Sequence, residues 1–383
     1  MKSKLLTGMA LAVAVSAFAL TGCSGSGKRV CNQGMEFYNE GEYAKAADYF
    51  GQAVDKEPEN AEYYVYMGMA QEECGNYEDA VASFKKAAEL KEGYRDAYRG
   101  IGIAYFRQGC YEEAASELIK AVQTDGKYDD ISLDAIKYYA ACLYNTGKYR
   151  EAIAQYSILT DKLPKDELAD IYYYRGTAYI MLKDENNAVI DYEEAIKLND
   201  DDYDRYCSMY ANFMAAGYTE RAQSYLKRLL NADDMDGMLA GKTYFNLGDY
   251  AKAEEFLRKE YNGGNTEAAY YLAMTYEALE DYASAEQFYD EYLGKNPNDA
   301  LIYNQYAAYL INRGKYDNAL AYIETGISLN NSEVMRELLY NQAVCYEYIS
   351  DYSKALELFN EYLKKYPNDA DALKEQKFLQ TRQ

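Results

Sequence analysis

Apolar residues return along this chain at helical spacing, in stretches broken by short polar turns. The turns are one phrase rewritten: GEYAKA at 41, GNYEDA at 75, GCYEEA at 109, GKYREA at 147, GDYAKA at 248 and GKYDNA at 314. EDYASA at 280 and SDYSKA at 350 are the same phrase without its glycine. With two weaker copies near 183 and 217, the phrases stand 31 to 38 residues apart, most often 34. Such a period predicts a two-helix unit repeated about ten times, with starts near 27, 61, 95, 133, 169, 203, 234, 266, 300 and 336. A more polar closing helix is expected over 370–383, ADALKEQKFLQTRQ.

The residues at fixed places in the phrase have physical reasons. Two helices that cross closely need small side chains at the crossing, because larger ones hold the axes apart. The second helix supplies Ala46, Ala80, Ala114, Ala152, Ala188, Ala222, Ala253, Ala285, Ala319 and Ala355. The first helix supplies Gly34, Gly68, Gly102, Ala140, Gly176, Gly241, Ala273, Ala307 and Ala343, with Tyr210 the one departure. Between the helices a glycine can take the left-handed conformation that ends a helix; Lys183, Glu280 and Ser350 stand in for it in three units. The four prolines, at 58, 164, 297 and 367, fall where second helices should stop. Units five and six carry the weakest copies: the phrase is lost around Lys183-Asp184-Glu185, and Thr219 replaces the usual tyrosine.

This pattern resembles the tetratricopeptide repeat, a 34-residue helix–turn–helix unit, over residues 27–369. The resemblance implies an all-α fold, a right-handed solenoid of about ten units in which no unit buries enough alone and stacking makes the core. It also implies an inner, concave face lined by the first helices. Carried over position by position, the groove slots hold Arg99, Phe106 and Arg107, then Lys137, Tyr144 and Asn145. Further along they hold Tyr173, Met214, Met238, Phe245, Tyr270, Met274, Asn304, Asn312, Tyr340 and Tyr348. Rings and thioethers offer adaptable apolar contact, which suits an extended peptide or an amphipathic helix. Some relatives clamp a peptide's terminal carboxylate with paired lysine and asparagine, but Ile103 and Ala141 occupy the slots where asparagine is needed.

The first residues follow a different rule. Met1 to Lys4 carries two lysines, and Leu5 to Leu20 is almost free of polar groups, the layout of a secretory signal over 1–22. Leu20-Thr21-Gly22-Cys23 resembles the lipobox of bacterial lipoproteins, which implies diacylglycerol on the Cys23 thiol and cleavage before it. Residues 23–28 then read as lipidated cysteine and flexible tether, reaching roughly 15–20 Å from the bilayer. The expected location is the extracytoplasmic face of a bacterial membrane, with a Gram-positive surface favoured over the periplasmic side of an outer membrane.

Composition changes the picture in three places. There are 47 tyrosines but no tryptophan or histidine, and the repeat itself asks for many of the rings, so their number is no sign of binding. The net charge of −23 disfavours nucleic acid and favours a basic or neutral partner. Without histidine the commonest general base and many metal sites are gone. Cys31, Cys74, Cys110, Cys142, Cys207 and Cys345 show no metal-ligand spacing, though Cys74 and Cys110 lie at equivalent turns, where a disulfide or free thiols both remain open. The acidic runs NDDDYD at 199 and DDMDG at 233 fail the EF-hand pattern, since Ala232 and Thr243 fall at its end ligands. No catalytic, cofactor or metal site is expected. The reading is a lipid-anchored scaffold that binds a protein or extended peptide, the alternative being capture of surface carbohydrate or cell-wall glycan on the aromatic groove residues.

Overall fold

A computed structural model describes residues 26–123, 128–200, 202–230 and 235–382; the expected signal segment and Cys23 lie outside them. Among the described residues the regular structure is entirely helical. Ten pairs follow one another: α1 (Ser26–Asn39) and α2 (Tyr43–Lys56), α3 (Ala61–Glu73) and α4 (Tyr77–Leu90), α5 (Arg95–Arg107) and α6 (Tyr111–Ala121), α7 (Asp130–Asn145) and α8 (Tyr149–Lys162). After a single 3-10 turn at Lys165–Glu167 come α9 (Leu168–Met181) and α10 (Glu185–Leu198), then α11 (Tyr203–Ala216) and α12 (Thr219–Leu229). The remaining pairs are α13 (Gly237–Leu247) and α14 (Tyr250–Asn262), α15 (Glu267–Ala278) and α16 (Tyr282–Lys295), α17 (Ala300–Asn312) and α18 (Tyr316–Ser328), α19 (Met335–Tyr348) and α20 (Tyr352–Lys365). A lone α21 (Ala370–Gln380) closes the series. The chain divides into two compact units, Met1–Tyr225 and Leu226–Gln383.

The register inside a pair is set by small residues. All ten second-helix alanines are fully buried. A Cβ added to Gly34 would come within 2.9 Å of Phe50, one on Gly68 within 2.9 Å of Phe84, and one on Gly102 within 2.5 Å of Leu118. Gly176 against Tyr192 and Gly241 against Leu257 are as tight, at 2.6 Å. In each case the neighbour is the residue sixteen positions on. The same offset from Ala140, Ala273, Ala307 and Ala343 reaches Tyr156, Tyr289, Ile323 and Phe359, all buried. Phe84 also joins two repeats, since a Cβ on Gly100 of α5 would meet it at 2.5 Å.

The turns are equally regular. Gly41, Gly75, Gly109, Gly147, Gly217, Gly248 and Gly314 have φ between 72° and 88°, and Lys183, Glu280 and Ser350 adopt φ of 60°, 60° and 67° in their place. The next N–H reaches back to a carbonyl in the last turn of the first helix, as in Asn76 N to Gln71 O at 2.9 Å and Asp281 N to Tyr276 O at 2.9 Å. This is the Schellman closure, and it demands the left-handed residue before it.

One expectation needs correction. Ser26, Gly27 and Lys28, read as tether, are the first residues of α1: Gly27 is buried and its N–H donates to Glu57 Oε1 at 3.1 Å. The fifth repeat, whose phrase is among the weakest, carries a network of polar side chains. Arg175 donates to both Asp191 carboxylate oxygens, at 2.8 and 2.7 Å, and to Ser157 Oγ and Thr160 Oγ1 at 3.1 and 3.0 Å. Asn212 Nδ2 donates to Tyr192 Oη at 3.0 Å, tying α11 to α10. The turn itself closes as in the other repeats, with Asp184 N–H donating to Tyr179 O at 2.9 Å. Cys74 and Cys110 are both free thiols.

Candidate partner-binding face

First helices of successive repeats meet side by side, α3 with α5, α5 with α7 and α9 with α11 in the first unit, α13 with α15 and α17 with α19 in the second. Each such row presents side chains from several repeats on one face. In the first unit that row is joined by ion pairs. Arg107 Nε lies 3.5 Å from Glu72, Arg99 Nη1 3.1 Å from Asp134, and Lys137 Nζ 2.9 Å from Glu167. Beyond them Arg205 is held between Asp170 at 2.8 Å and Asp202 at 2.9 Å.

Burial sets the electrostatics of this ladder. The Glu72 carboxyl is pushed up to about 7, chiefly by burial, with Arg107 opposing that rise. Asp134 is raised for the same reason, offset by Arg99 and Lys137. Burial also raises the Tyr138 hydroxyl, and Asp134 adds to it. Two donors in the row meet no acceptor although they are buried, Arg99 Nε and Arg205 Nη1.

The residues expected in the groove divide by what surrounds them. Arg99, Arg107 and Lys137 belong to the ladder. Phe106 and Tyr173 are core residues rather than groove surface: Phe106 packs edge-on to Tyr138 of the next first helix, and Tyr173 stacks on Tyr192. Met238 is buried as well. Tyr144 is half-buried against Tyr149, and Asn145 turns its Nδ2 to Ala141 O at 2.8 Å, within its own helix. Met214 is exposed, as are its near counterparts Met181 and Leu182 one repeat earlier.

In the second unit one ion pair, Lys242 Nζ to Glu267 at 2.6 Å, joins α13 to α15, and bonds between neutral side chains link the later first helices. Tyr270 Oη donates to Gln305 Oε1 at 2.6 Å, and Asn341 Nδ2 donates to Asn304 Oδ1 at 3.2 Å. Phe245 is half-buried beside Tyr250, Met274 is half-buried, and Tyr340 stands edge-on to Phe359 and Tyr362. Asn312 is exposed. Tyr348 is 61% exposed and stacks on Tyr316 with centroids 4.7 Å apart.

Sequence reasoning missed Glu72, Asp134, Glu167 and Arg205. Glu72 was within its reach, because it occupies the slot that Phe106 fills one repeat later. Glu167 lies in the 3-10 turn, which the repeat pattern does not contain. Among the described residues no cluster of His, Cys, Asp or Glu is arranged to hold a metal, and no helix is long and apolar enough to cross a membrane.

Models of the tetratricopeptide repeat match residues 31–95, 67–130 and 307–370, 245–309, and 169–202. Together the matches take in more than half of the chain, which therefore belongs to the tetratricopeptide repeat family. Comparison with curated proteins returns no match. Among solved structures the chain is similar to yeast Tom70, with 17% identity, 93% of this chain and 88% of that chain covered, and a TM-score of 0.48. It is similar to MamA from Desulfovibrio magneticus RS-1, with 18% identity, 46% and 96% covered and a TM-score of 0.41. YrrB, described as a TPR protein with an unusual peptide-binding site, shares 20% identity over 47% of this chain and 89% of its own, with a TM-score of 0.40.

Proposed function

We propose that the chain is a non-enzymatic scaffold, anchored through lipid on Cys23 at the extracytoplasmic face of a bacterial membrane, that docks an extended segment of a partner protein. The observation that carries the docking is the first-helix row of the first unit. It sets charged side chains from successive repeats in a line, with Met181 and Met214 exposed on its later helices, α9 and α11. Fixed charges give a peptide register, and flexible thioethers adapt to its apolar side chains. A chain of net charge −23 favours a basic or neutral partner and stands clear of nucleic acid.

The test is a photoreactive residue in place of Met214, with Glu113 on a second helix as control, irradiated in the native host. A discrete polypeptide captured only at Met214 supports docking; equal capture at both sites refutes it. The anchor is tested separately, by metabolic labelling with an alkyne fatty acid. Label and membrane retention should vanish in Cys23→Ser, and persistence of both would overturn the anchor. A second reading rests on the exposed Tyr316–Tyr348 stack, a surface for a sugar ring. Retention on insoluble cell wall, lost in Tyr348→Ala, would favour it.

A further inference from the structure

Ser26 to Lys28 belong to α1, so only Ser24 and Gly25 separate its first residue from Cys23. Three Cα steps span at most about 11 Å. Gly27 is buried, and its N–H donates to Glu57, the residue that follows α2. The start of α1 is thereby fixed beside the linker between the first two repeats. Pro58 and Glu59 of that linker share a cleft of about 880 Å³ with Leu90, Lys91 and Tyr94 of the next linker. Arg95 carries the same edge into the third linker, donating to Ala121 O at 2.7 Å and to Asp129 Oδ2 at 2.7 Å. The turns at Gly41, Gly75 and Gly109 lie at the other ends of the first helices, which at 13 or 14 residues are roughly 20 Å long.

We propose that the linker edge of the first two repeats rests against the lipid headgroups, with the basic start of α1 on anionic ones, and that the turn edge points away from the bilayer. The inference rests on the lipidation of Cys23 and names the surface that the anchor presses to the membrane. A peptide that crosses the first helices of these repeats then runs along the bilayer surface.

The charges of α1 set the sense of this arrangement. Lys28 and Arg29 occupy its first turn, and Glu36 and Glu40 stand exposed at its other end. Both placements oppose the helix macrodipole, which favours acidic groups at the start and basic ones at the end. α3, α5 and α7 obey that rule, with Glu62, Asp96 and Asp130 in their first turns. A negative surface beneath α1 reverses the preference, because it attracts lysine and arginine and repels carboxylates within a Debye length. Lys56 ends α2 on the same edge, and of the carboxylates there Glu57 is taken up by Gly27 N–H and Tyr63 Oη. The chain as a whole is strongly acidic, so such a surface holds the anchored edge and keeps the remainder off. Lying flat on the exposed face of α1 would instead press Asn32, Gln33 and Glu36 to the lipid.

The experiment reconstitutes the acylated full-length protein, purified from membranes, in phosphatidylcholine vesicles with or without phosphatidylglycerol and with a nitroxide on the headgroups. A fluorescent amino acid is placed singly at Glu59 on the linker edge, Asn76 on the turn edge or Gln33 on the outer face of α1, all exposed positions. Quenching at Glu59 should be at least about twofold that at either other site, since the two edges lie roughly 20 Å apart. Phosphatidylglycerol should deepen it, and Lys28→Glu with Arg29→Glu, a change the macrodipole favours, should remove that increase while the chain still floats with the vesicles. Strongest quenching at Gln33 or at Asn76, or equal quenching at all three sites in chains that float, overturns the inference and leaves the anchor standing. Quenching at Glu59 that ignores phosphatidylglycerol, or a response untouched by the double variant, overturns the seat on anionic headgroups. A chain that does not float with the vesicles overturns the anchor itself, and the membrane-facing edge with it.

Discussion

Glu280 holds a left-handed backbone, φ 60°, at a turn where seven sister turns have glycine. Its side chain is exposed, and the bonds that close the turn are backbone bonds, Glu280 N to Glu277 O at 3.1 Å and Asp281 N to Tyr276 O at 2.9 Å. Glu280→Gly therefore removes the Cβ conflict and no contact. An L-residue in this region costs roughly 1–2 kcal/mol. Glycine gives back roughly 0.5–1 kcal/mol, because its unfolded chain is freer. The net expectation is a gain of about 0.5–1 kcal/mol. Lys183→Gly and Ser350→Gly should behave alike, and sites this far apart should add within about 0.5 kcal/mol. The assay is thermal and urea unfolding followed by circular dichroism, with amide exchange at Asp281 as a local probe, since long repeat arrays need not unfold in two states. Each single variant should raise the midpoint by roughly 1–4 °C. An unchanged or lowered midpoint in all three would show that these turns are not strained. The mirror experiment, Gly314→Ala, should lose stability by a similar amount.

Asp191→Asn should cost about 3 kcal/mol in chemical denaturation, because it removes the buried charge that pairs with half-buried Arg175 and sets an amide N–H against one guanidinium nitrogen; a loss below 1 kcal/mol would mean the pair is water-screened. Cys74 is exposed and should react quickly with a thiol reagent at pH 8, whereas Cys31, Cys142 and Cys345 are buried with thiols pushed up to about 12 and should react only on unfolding; mass-spectrometric mapping of the modified sites decides. Asp369 is held down to about 2 by Tyr362 and Arg336 and caps α21. A depressed carboxyl stabilises the fold above its unfolded value of roughly 4 and loses that contribution as pH falls towards 2. Protection of α21 amides should therefore fall across that window, and earlier still, at neutral pH, in Asp369→Asn.

Fold and repeat boundaries were legible because they depend on residues that cannot vary much. Ala46 and its nine counterparts are all fully buried at the crossing, so their size is fixed wherever the helices cross. Lys183, Glu280 and Ser350 were readable from the places of their sister glycines. The face was only partly legible. The slots that hold Arg99, Arg107 and Lys137 follow from the repeat, but their partners depend on which residue of the next helix lies opposite. That register comes from packing rather than from any local motif. Phe106 and Tyr173 show the converse error. A slot that faces outward in an average repeat is covered when the next first helix carries a large ring such as Tyr138, or when a second-helix tyrosine such as Tyr192 fills the space beneath. Tyr348 shows the limit from the other side, since nothing in its phrase distinguishes an exposed ring from a buried one.

The ion-pair ladder has one more consequence. The backbone beneath it is nearly periodic, so a ligand could in principle slide by one repeat and find the same helices at the same spacing. The side chains on top are not periodic: Glu72 is answered by Phe106 one repeat on, and Arg99 by Lys137. A sliding chain would trade a carboxylate for a ring and a guanidinium for an ammonium. The scaffold measures distance by repeating itself, and it assigns addresses by breaking the repeat.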